Sequence, residues 1–108
     1  DYAAPTGTPI RAAGDGKVLF RGVQGGYGNT IILQHGSNIT TLYGHMSRFG
    51  SARAGARVNQ GDVIGYVGST GNASPEAPHL HFAILRLGPE RQWWKGDPIN
   101  PYLVFSAQ

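Results

Sequence analysis

The chain contains no cysteine, and charged residues make up only 14% of its 108 positions. The lack of thiols excludes cysteine nucleophiles, disulfides, cysteine-ligated zinc and iron–sulfur clusters. No apolar run approaches the roughly 18 residues that a membrane-spanning helix needs, so no transmembrane segment is predicted. No stretch keeps a 3.6-residue apolar period over several turns without meeting glycine or proline, which argues against long helices.

The charge balance is mildly basic, with nine Lys and Arg against six Asp and Glu and a formal net charge of +3. Such a balance suits an anionic partner, either nucleic acid or a cell-wall polymer. The cations are spread along the chain and do not alternate with aromatic residues, so nucleic acid is not predicted as a partner. The length fits one domain with one modest core, and residues 1–108 show no internal linker.

Glycine is abundant, at 17 positions, and seven prolines add further turn signals. Between the turns, runs rich in β-branched and aromatic residues predict strands at Lys17–Val23, Thr30–His35, Ile39–Met46, Val63–Val67 and His79–Leu87. The Asp15-Gly16 turn predicts a hairpin between Pro9–Ala13 and the first of these strands. The stretch Arg91–Pro98 is predicted to be irregular. The pattern indicates an all-β, mostly antiparallel domain, a two-sheet sandwich or flattened barrel.

Two histidines alternate with apolar residues near the end of the chain. Leu80, Phe82 and Ile84 should face the core, because side chains two apart on a strand share one face. His79 and His81 then share the opposite face. Such a pair can present two imidazoles to one metal ion or one water molecule. Two solvated surface histidines are equally compatible with the spacing.

The same alternation predicts the orientation of a third histidine. In the run around Leu42 and Met46, these two side chains should share one face, and Tyr43 and His45 should share the other. His45 is therefore predicted to lie outside the core, near the end of its strand.

The remaining polar residues give weaker signals. His35 falls in parity with apolar neighbours, so we predict a structural histidine that bonds to backbone beside the Gly36 turn. Glu76 and Glu90 have no carboxylate partner at a useful spacing, which argues against a paired-carboxylate glycosidase. The loop Ser69–Pro78 is long enough to suggest a functional role.

Five phrases occur in order along the chain: Asp1-Tyr-Ala-Ala-Pro5, Gly25-Gly-Tyr-Gly-Asn29, Leu42-Tyr-Gly-His45, Val58-x-x-Gly61-x-x-Ile64-Gly65 and Pro78-His-Leu-His-Phe82. In this order and spacing they resemble the lysostaphin-type (LytM-domain) peptidoglycan zinc metallopeptidases, over nearly the whole chain. The resemblance implies a two-sheet fold of the barrel-sandwich hybrid type, with a narrow groove that carries one zinc ion. One position departs from the family pattern, since Ala83 stands where an acidic residue is common.

The resemblance also implies roles for individual residues. Asp1 and His81 would be zinc ligands, and His45 and His79 would flank the attacking water as acid–base groups. Tyr27 and Asn29 would line the substrate groove. The family's first histidine ligand would precede Asp1, so we expect residues 1–108 to be the C-terminal part of a longer chain, with a regulatory or targeting segment upstream.

The implied function is a zinc-dependent endopeptidase that hydrolyses peptide bonds in peptidoglycan stem peptides or cross-bridges. Its implied location is the cell envelope, in the periplasm, or outside the cell. The alternative is a non-catalytic domain of the same fold that binds the cell wall or activates another cell-wall hydrolase. A lipoyl-type carrier is not supported, because neither Lys17 nor Lys95 has the sequence setting that such a domain needs.

Overall fold

The computed structural model describes residues 1–36, 39–86 and 104–105, and these residues form an all-β structure. Its strands are β1 (Tyr2–Ala3), β2 (Pro9–Arg11), β3 (Gly16–Val23), β4 (Asn29–Gln34), β5 (Ile39–Phe49), β6 (Arg57–Val58), β7 (Val63–Val67) and β8 (His79–Arg86). Every strand pairing is antiparallel. Within the described ranges there is one short 3-10 turn, at Gly25–Tyr27, and no α-helix. The predicted fold class is confirmed.

The sheet has two branches, and they meet at strand β5. The longer branch has the order β1-β8-β5-β4-β3-β6, while β7 pairs with both β5 and β2. The first half of β5 pairs with β4 and β8, and its second half pairs with β7. One apolar cluster contains side chains from both branches, among them Ile10, Ile64, Leu33 and Leu80. The core therefore lies between the branches, and each Ile or Leu that is fully buried there contributes about 1.5–3 kcal/mol.

The predicted hairpin is wrong. Strand β2 pairs with β7, whereas β3 pairs with β4 and β6. The segment after β2 is drawn into long-range contacts: the Ala12 N–H donates to the Asp62 carbonyl, and the Ala13 N–H donates to the Tyr43 hydroxyl. These bonds satisfy the backbone without a β2–β3 ladder, so tertiary contacts override the local turn signal.

The predicted orientation of Tyr43 is also wrong. Tyr43 and Met46 are both fully buried in the core cluster, although their spacing is odd and a regular strand would place them on opposite faces. The strand is irregular between them. His45 has a φ of 62°, and the register of β5 shifts against both β4 and β7 near this point. An irregularity of this kind adds a residue to one strand and changes the face of every later side chain.

Two further expectations concern the chain as a whole. The stretch Arg91–Pro98, predicted to be irregular, lies outside the described residues. In the part of the chain that the structure describes, no helix has the length and apolar character needed to cross a membrane.

His35 takes part in a hydrogen-bond network that runs from the surface into the core, in agreement with the structural role predicted for it. Its Nδ1 lies 2.8 Å from the Asp15 carbonyl oxygen, which can only accept, so Nδ1 carries the proton. Nε2 then accepts from the Thr41 hydroxyl at 2.6 Å. Thr41 lies 2.9 Å from the Tyr43 hydroxyl, which receives the Ala13 N–H at 3.0 Å. With His35 neutral, every donor in this hydrogen-bond network has an acceptor.

Protonation of His35 would reverse the hydrogen-bond chain. Nε2 would have to donate to Thr41, Thr41 would donate to Tyr43, and the Tyr43 proton would lose its acceptor in a fully buried position. Burial raises the pKa of Tyr43 to about 12, so its hydroxyl keeps that proton. Burial also lowers the pKa of His35 below its ordinary value of 6.5, against smaller opposing effects of the Asp15 carbonyl and charge.

This network predicts a loss of stability in mild acid. Because the folded-state pKa of His35 is the lower one, the stabilisation is fully present above pH 6.5 and is lost as the pH falls through the folded-state pKa. We expect the free energy of unfolding to fall by about 1 kcal/mol over this window, the cost of one unpaired buried donor. Urea unfolding at several pH values measures it. His35→Gln should flatten the profile, and an unchanged slope in this variant would contradict the assignment.

Candidate functional site

Four side chains singled out in the sequence converge at one place. Strand β1 pairs with β8 so that Tyr2 faces Leu80, which brings Asp1 beside the two histidines of β8. The Asp1 carboxylate lies 2.8 Å from His81 Nδ1 through one oxygen and 3.6 Å from His79 Nε2 through the other. The His45 ring approaches from β5, with its centroid 4.8 Å from that of His79 and 6.2 Å from that of His81.

His45 reaches this cluster through an unusual backbone conformation. Among the described residues it is the one non-glycine with positive φ, a region that few non-glycine residues occupy, although Asn, Asp and His are found there more often than the others. Such a conformation costs about 1–3 kcal/mol and persists only where the surroundings enforce it. His45 is buried, with 7% of its surface exposed, so it does not leave the interior as the strand alternation predicted. Its ring nevertheless lies beside those of His79 and His81.

The loop Ser69–Pro78 holds two of the three histidines. Its base is closed by a hydrogen bond from the His79 N–H to the Gly68 carbonyl. The Thr70 carbonyl oxygen lies 2.7 Å from His45 Nδ1, and the Ala77 carbonyl oxygen lies 3.1 Å from His79 Nδ1. Because a carbonyl can only accept, both Nδ1 atoms carry the proton in the neutral rings. Each Nε2 is left with a free lone pair.

The two predicted groove residues occupy different positions. The Tyr27 ring stacks on His81, with centroids 4.9 Å apart and planes inclined by 14°. Tyr27 can lie this close because Gly44 beneath it has no side chain: a Cβ there would lie 3.3 Å from the Tyr27 Cβ. Asn29 instead directs its amide to β5 and donates to the Met46 carbonyl at 3.0 Å. Tyr27 thus borders the site, whereas the Asn29 amide is used inside the protein.

The donor atoms suit a cation. His79 Nε2 and the Asp1 carboxylate both present lone pairs to each other across 3.6 Å, an arrangement that is favourable only with a proton or a cation near them. Partial burial lowers the pKa of His81. An imidazole binds a metal ion in its neutral form, which this shift favours.

A carboxylate and neutral imidazoles are ligands that zinc prefers. Residues 1–36, 39–86 and 104–105 alone contain no group of three or more His, Cys, Asp or Glu side chains arranged to hold a metal ion. Asp1 and His81 fit as two members of a ligand set. Their donor atoms lie 2.8 Å apart, one on β8 and one on the residue before β1.

Sequence reasoning missed the contribution of the backbone. The carbonyls of Thr70 and Ala77 orient two histidines. Every residue has a backbone carbonyl, so the sequence does not show which of them contact the histidines. The one available signal is the length of the loop Ser69–Pro78, which suggested function without indicating how it acts.

Comparisons with known proteins agree on one family. The family model described as peptidase family M23 matches residues 1–101. The DD-carboxypeptidase/endopeptidase Mpg of Neisseria meningitidis serogroup B is 45% identical over 104 residues, which cover 96% of this chain and 21% of that protein. The peptidoglycan DD-endopeptidase ShyC of Vibrio cholerae is 42% identical over 88 residues, covering 82% of this chain and 20% of that protein.

A solved structure gives the same picture. A zinc-containing peptidase from Vibrio cholerae superposes with a TM-score of 0.70 at 34% identity, covering 77% of this chain and 25% of that one. The chain spans about a fifth of the length of the curated relatives named above.

Proposed function

Because the chain belongs to peptidase family M23, we propose that it forms the catalytic domain of a zinc-dependent endopeptidase that cleaves peptide bonds in peptidoglycan. The observation that carries the proposal is the convergence of one carboxylate and three imidazoles from β5, β8 and the segment before β1. The family match confirms the resemblance found in the sequence.

The names of the relatives support a narrower substrate. Mpg and ShyC are both named for action on DD bonds, and ShyC for action on peptidoglycan. We therefore favour, for this chain, a peptide bond between two D-configured centres in a cross-linked stem peptide. A substrate of this kind would place the protein in the cell envelope or outside the cell.

Asp1 and His81 are the residues of this chain that would hold zinc, together with a ligand from beyond these 108 residues. When bound, zinc supplies a Lewis acid that would polarise the substrate carbonyl and lower the pKa of a water to about 7. Tyr27 covers one face of His81 and limits the positions that this ring can take.

His45 and His79 would carry the protons. Each ring donates Nδ1–H to a loop carbonyl and keeps a free lone pair on Nε2, and Nε2 of His79 faces the Asp1 carboxylate. One Nε2 would accept a proton from the attacking water. The resulting imidazolium would deliver a proton to the leaving nitrogen when the carbon–nitrogen bond breaks, which returns the ring to its neutral state.

The proposal is tested with the full polypeptide that carries this chain and two defined substrates. We expect it to cleave a D,D-cross-linked stem-peptide dimer and to leave a pentaglycine peptide intact, with the products identified by mass spectrometry. Treatment with a chelator should stop cleavage, and added zinc should restore it. A zinc-loaded protein that binds purified cell wall but cleaves neither substrate would contradict the proposal and favour the non-catalytic alternative.

A further inference from the structure

Thr70 contacts both the His45 ring and the backbone of the residue that follows it. Its carbonyl oxygen lies 2.7 Å from His45 Nδ1, and its hydroxyl donates to the Met46 carbonyl at 2.8 Å. The same hydroxyl accepts the backbone N–H of Asn29 at 3.1 Å. One residue thus binds the His45 ring through its backbone and the next carbonyl through its side chain, and it links both to β4.

These contacts explain how His45 keeps its left-handed backbone. Such a conformation needs external support. The Met46 carbonyl, directly after His45, receives two hydrogen bonds, from the Thr70 hydroxyl and from the Asn29 side-chain amide. Both fix the backbone directly after the residue with the positive φ.

Thr70 is itself fixed by close backbone packing. The Asn72 N–H donates to the Gly26 carbonyl at 2.8 Å, beside Thr70 along the loop. Gly28 packs so tightly on this loop that a Cβ at Gly28 would lie 2.5 Å from the carbonyl carbon of Thr70. These contacts hold the loop against Gly26 and Gly28, and the hydrogen bonds of the Thr70 hydroxyl then fix how the residue is turned toward His45.

We infer that Thr70 is the positioning residue that fixes the tautomer and orientation of His45. A neutral imidazole in water exchanges between two tautomers, and only the one with its proton on Nδ1 offers Nε2 as a base. The Thr70 carbonyl selects this tautomer, and the Thr70 hydroxyl keeps the carbonyl in place. The consequence for rate rests on the proposed function, whereas the tautomer does not.

The test uses three variants of the full, zinc-loaded polypeptide. Thr70→Val removes the hydroxyl at constant shape, and Thr70→Ser keeps it. Thr8→Val is the matched control, because the Thr8 hydroxyl also bonds to a backbone carbonyl, that of Pro5, on an exposed turn. The tautomer of His45 is read from ¹⁵N-histidine NMR spectra above the ordinary histidine pKa of about 6.5. The His45 signals are assigned by their absence in His45→Gln.

We expect Nδ1–H at His45 in the wild type, in Thr70→Ser and in Thr8→Val, and a mixture with Nε2–H in Thr70→Val. Thr70→Val should also lower kcat on the D,D-cross-linked dimer by about tenfold or more with KM little changed, part of the acid–base contribution of His45. An Nε2–H tautomer in the wild type, or an unaltered tautomer in Thr70→Val, would overturn the inference. Correct tautomers in a protein that cleaves nothing would refute the proposed function and leave the role of Thr70 intact.

Discussion

His81→Ala is expected to abolish both zinc binding and peptidoglycan cleavage in the full polypeptide. His81 Nδ1 and the Asp1 carboxylate lie 2.8 Å apart and form the adjacent donor pair of this chain. Removing the imidazole leaves Asp1 as the one proposed ligand from these residues, and water then has to fill the vacant position on the ion. Zinc affinity is measured by calorimetric titration, and cleavage by release of soluble peptides from purified cell wall.

His45→Ala and His79→Ala should give a different result. Both variants should retain zinc, since these rings are proposed as proton carriers, and both should lower turnover by about 10²–10⁴-fold. His35→Ala serves as the control: it removes a buried hydrogen-bond chain and should lower stability while sparing the rate per folded molecule. A His81→Ala variant that still binds zinc as tightly as the wild type would show that the ligand assignment is wrong.

Gly71→Ala is expected to give a large loss of stability. Gly71 has a φ of 73°, and a Cβ there would collide with the Gly26 carbonyl oxygen and lie 2.5 Å from the Gly28 nitrogen. All of these are backbone atoms, so neither loop can relieve the contact by turning a side chain. Parting the loops also breaks the hydrogen bond from Asn72 to Gly26.

Gly55→Ala is the matched control for this substitution. Gly55 has a φ of 89°, but a Cβ there would meet nothing within 4 Å. It should show the conformational cost alone, about 1 kcal/mol, whereas Gly71→Ala should add about 1–3 kcal/mol for the collision. Urea unfolding measures both, and Gly71→Ala should also reduce turnover, because its loop carries the Thr70 carbonyl. Equal losses for the two variants would argue against close loop packing.

The strands were largely predictable from the sequence, because strand periodicity and turn residues are local signals. Four predicted strands match β3, β4, β5 and β7 closely, and the fifth corresponds to β8. The pairing of β2 was not predictable, because it depends on contacts such as Ala12 to Asp62 that no local pattern encodes.

The site was predictable to a lesser extent. Strand alternation placed His79 and His81 on one face, and both lie in the cluster. Asp1 came from the family resemblance alone, because its position depends on the long-range pairing of β1 with β8. For His45 the alternation was misleading: Tyr43, on the same predicted face, is in the core, and His45 is itself buried beside His79 and His81.

The branching of the sheet at β5 affects how the protein comes apart. The first half of β5 is paired on both sides, with β4 and β8, so its amide hydrogens should exchange with solvent only when the sheet itself opens. His45 lies at this branch point, between the β8-paired and the β7-paired halves. We therefore expect the histidines to stay together for as long as the sheet is intact, and to separate only when the sheet opens.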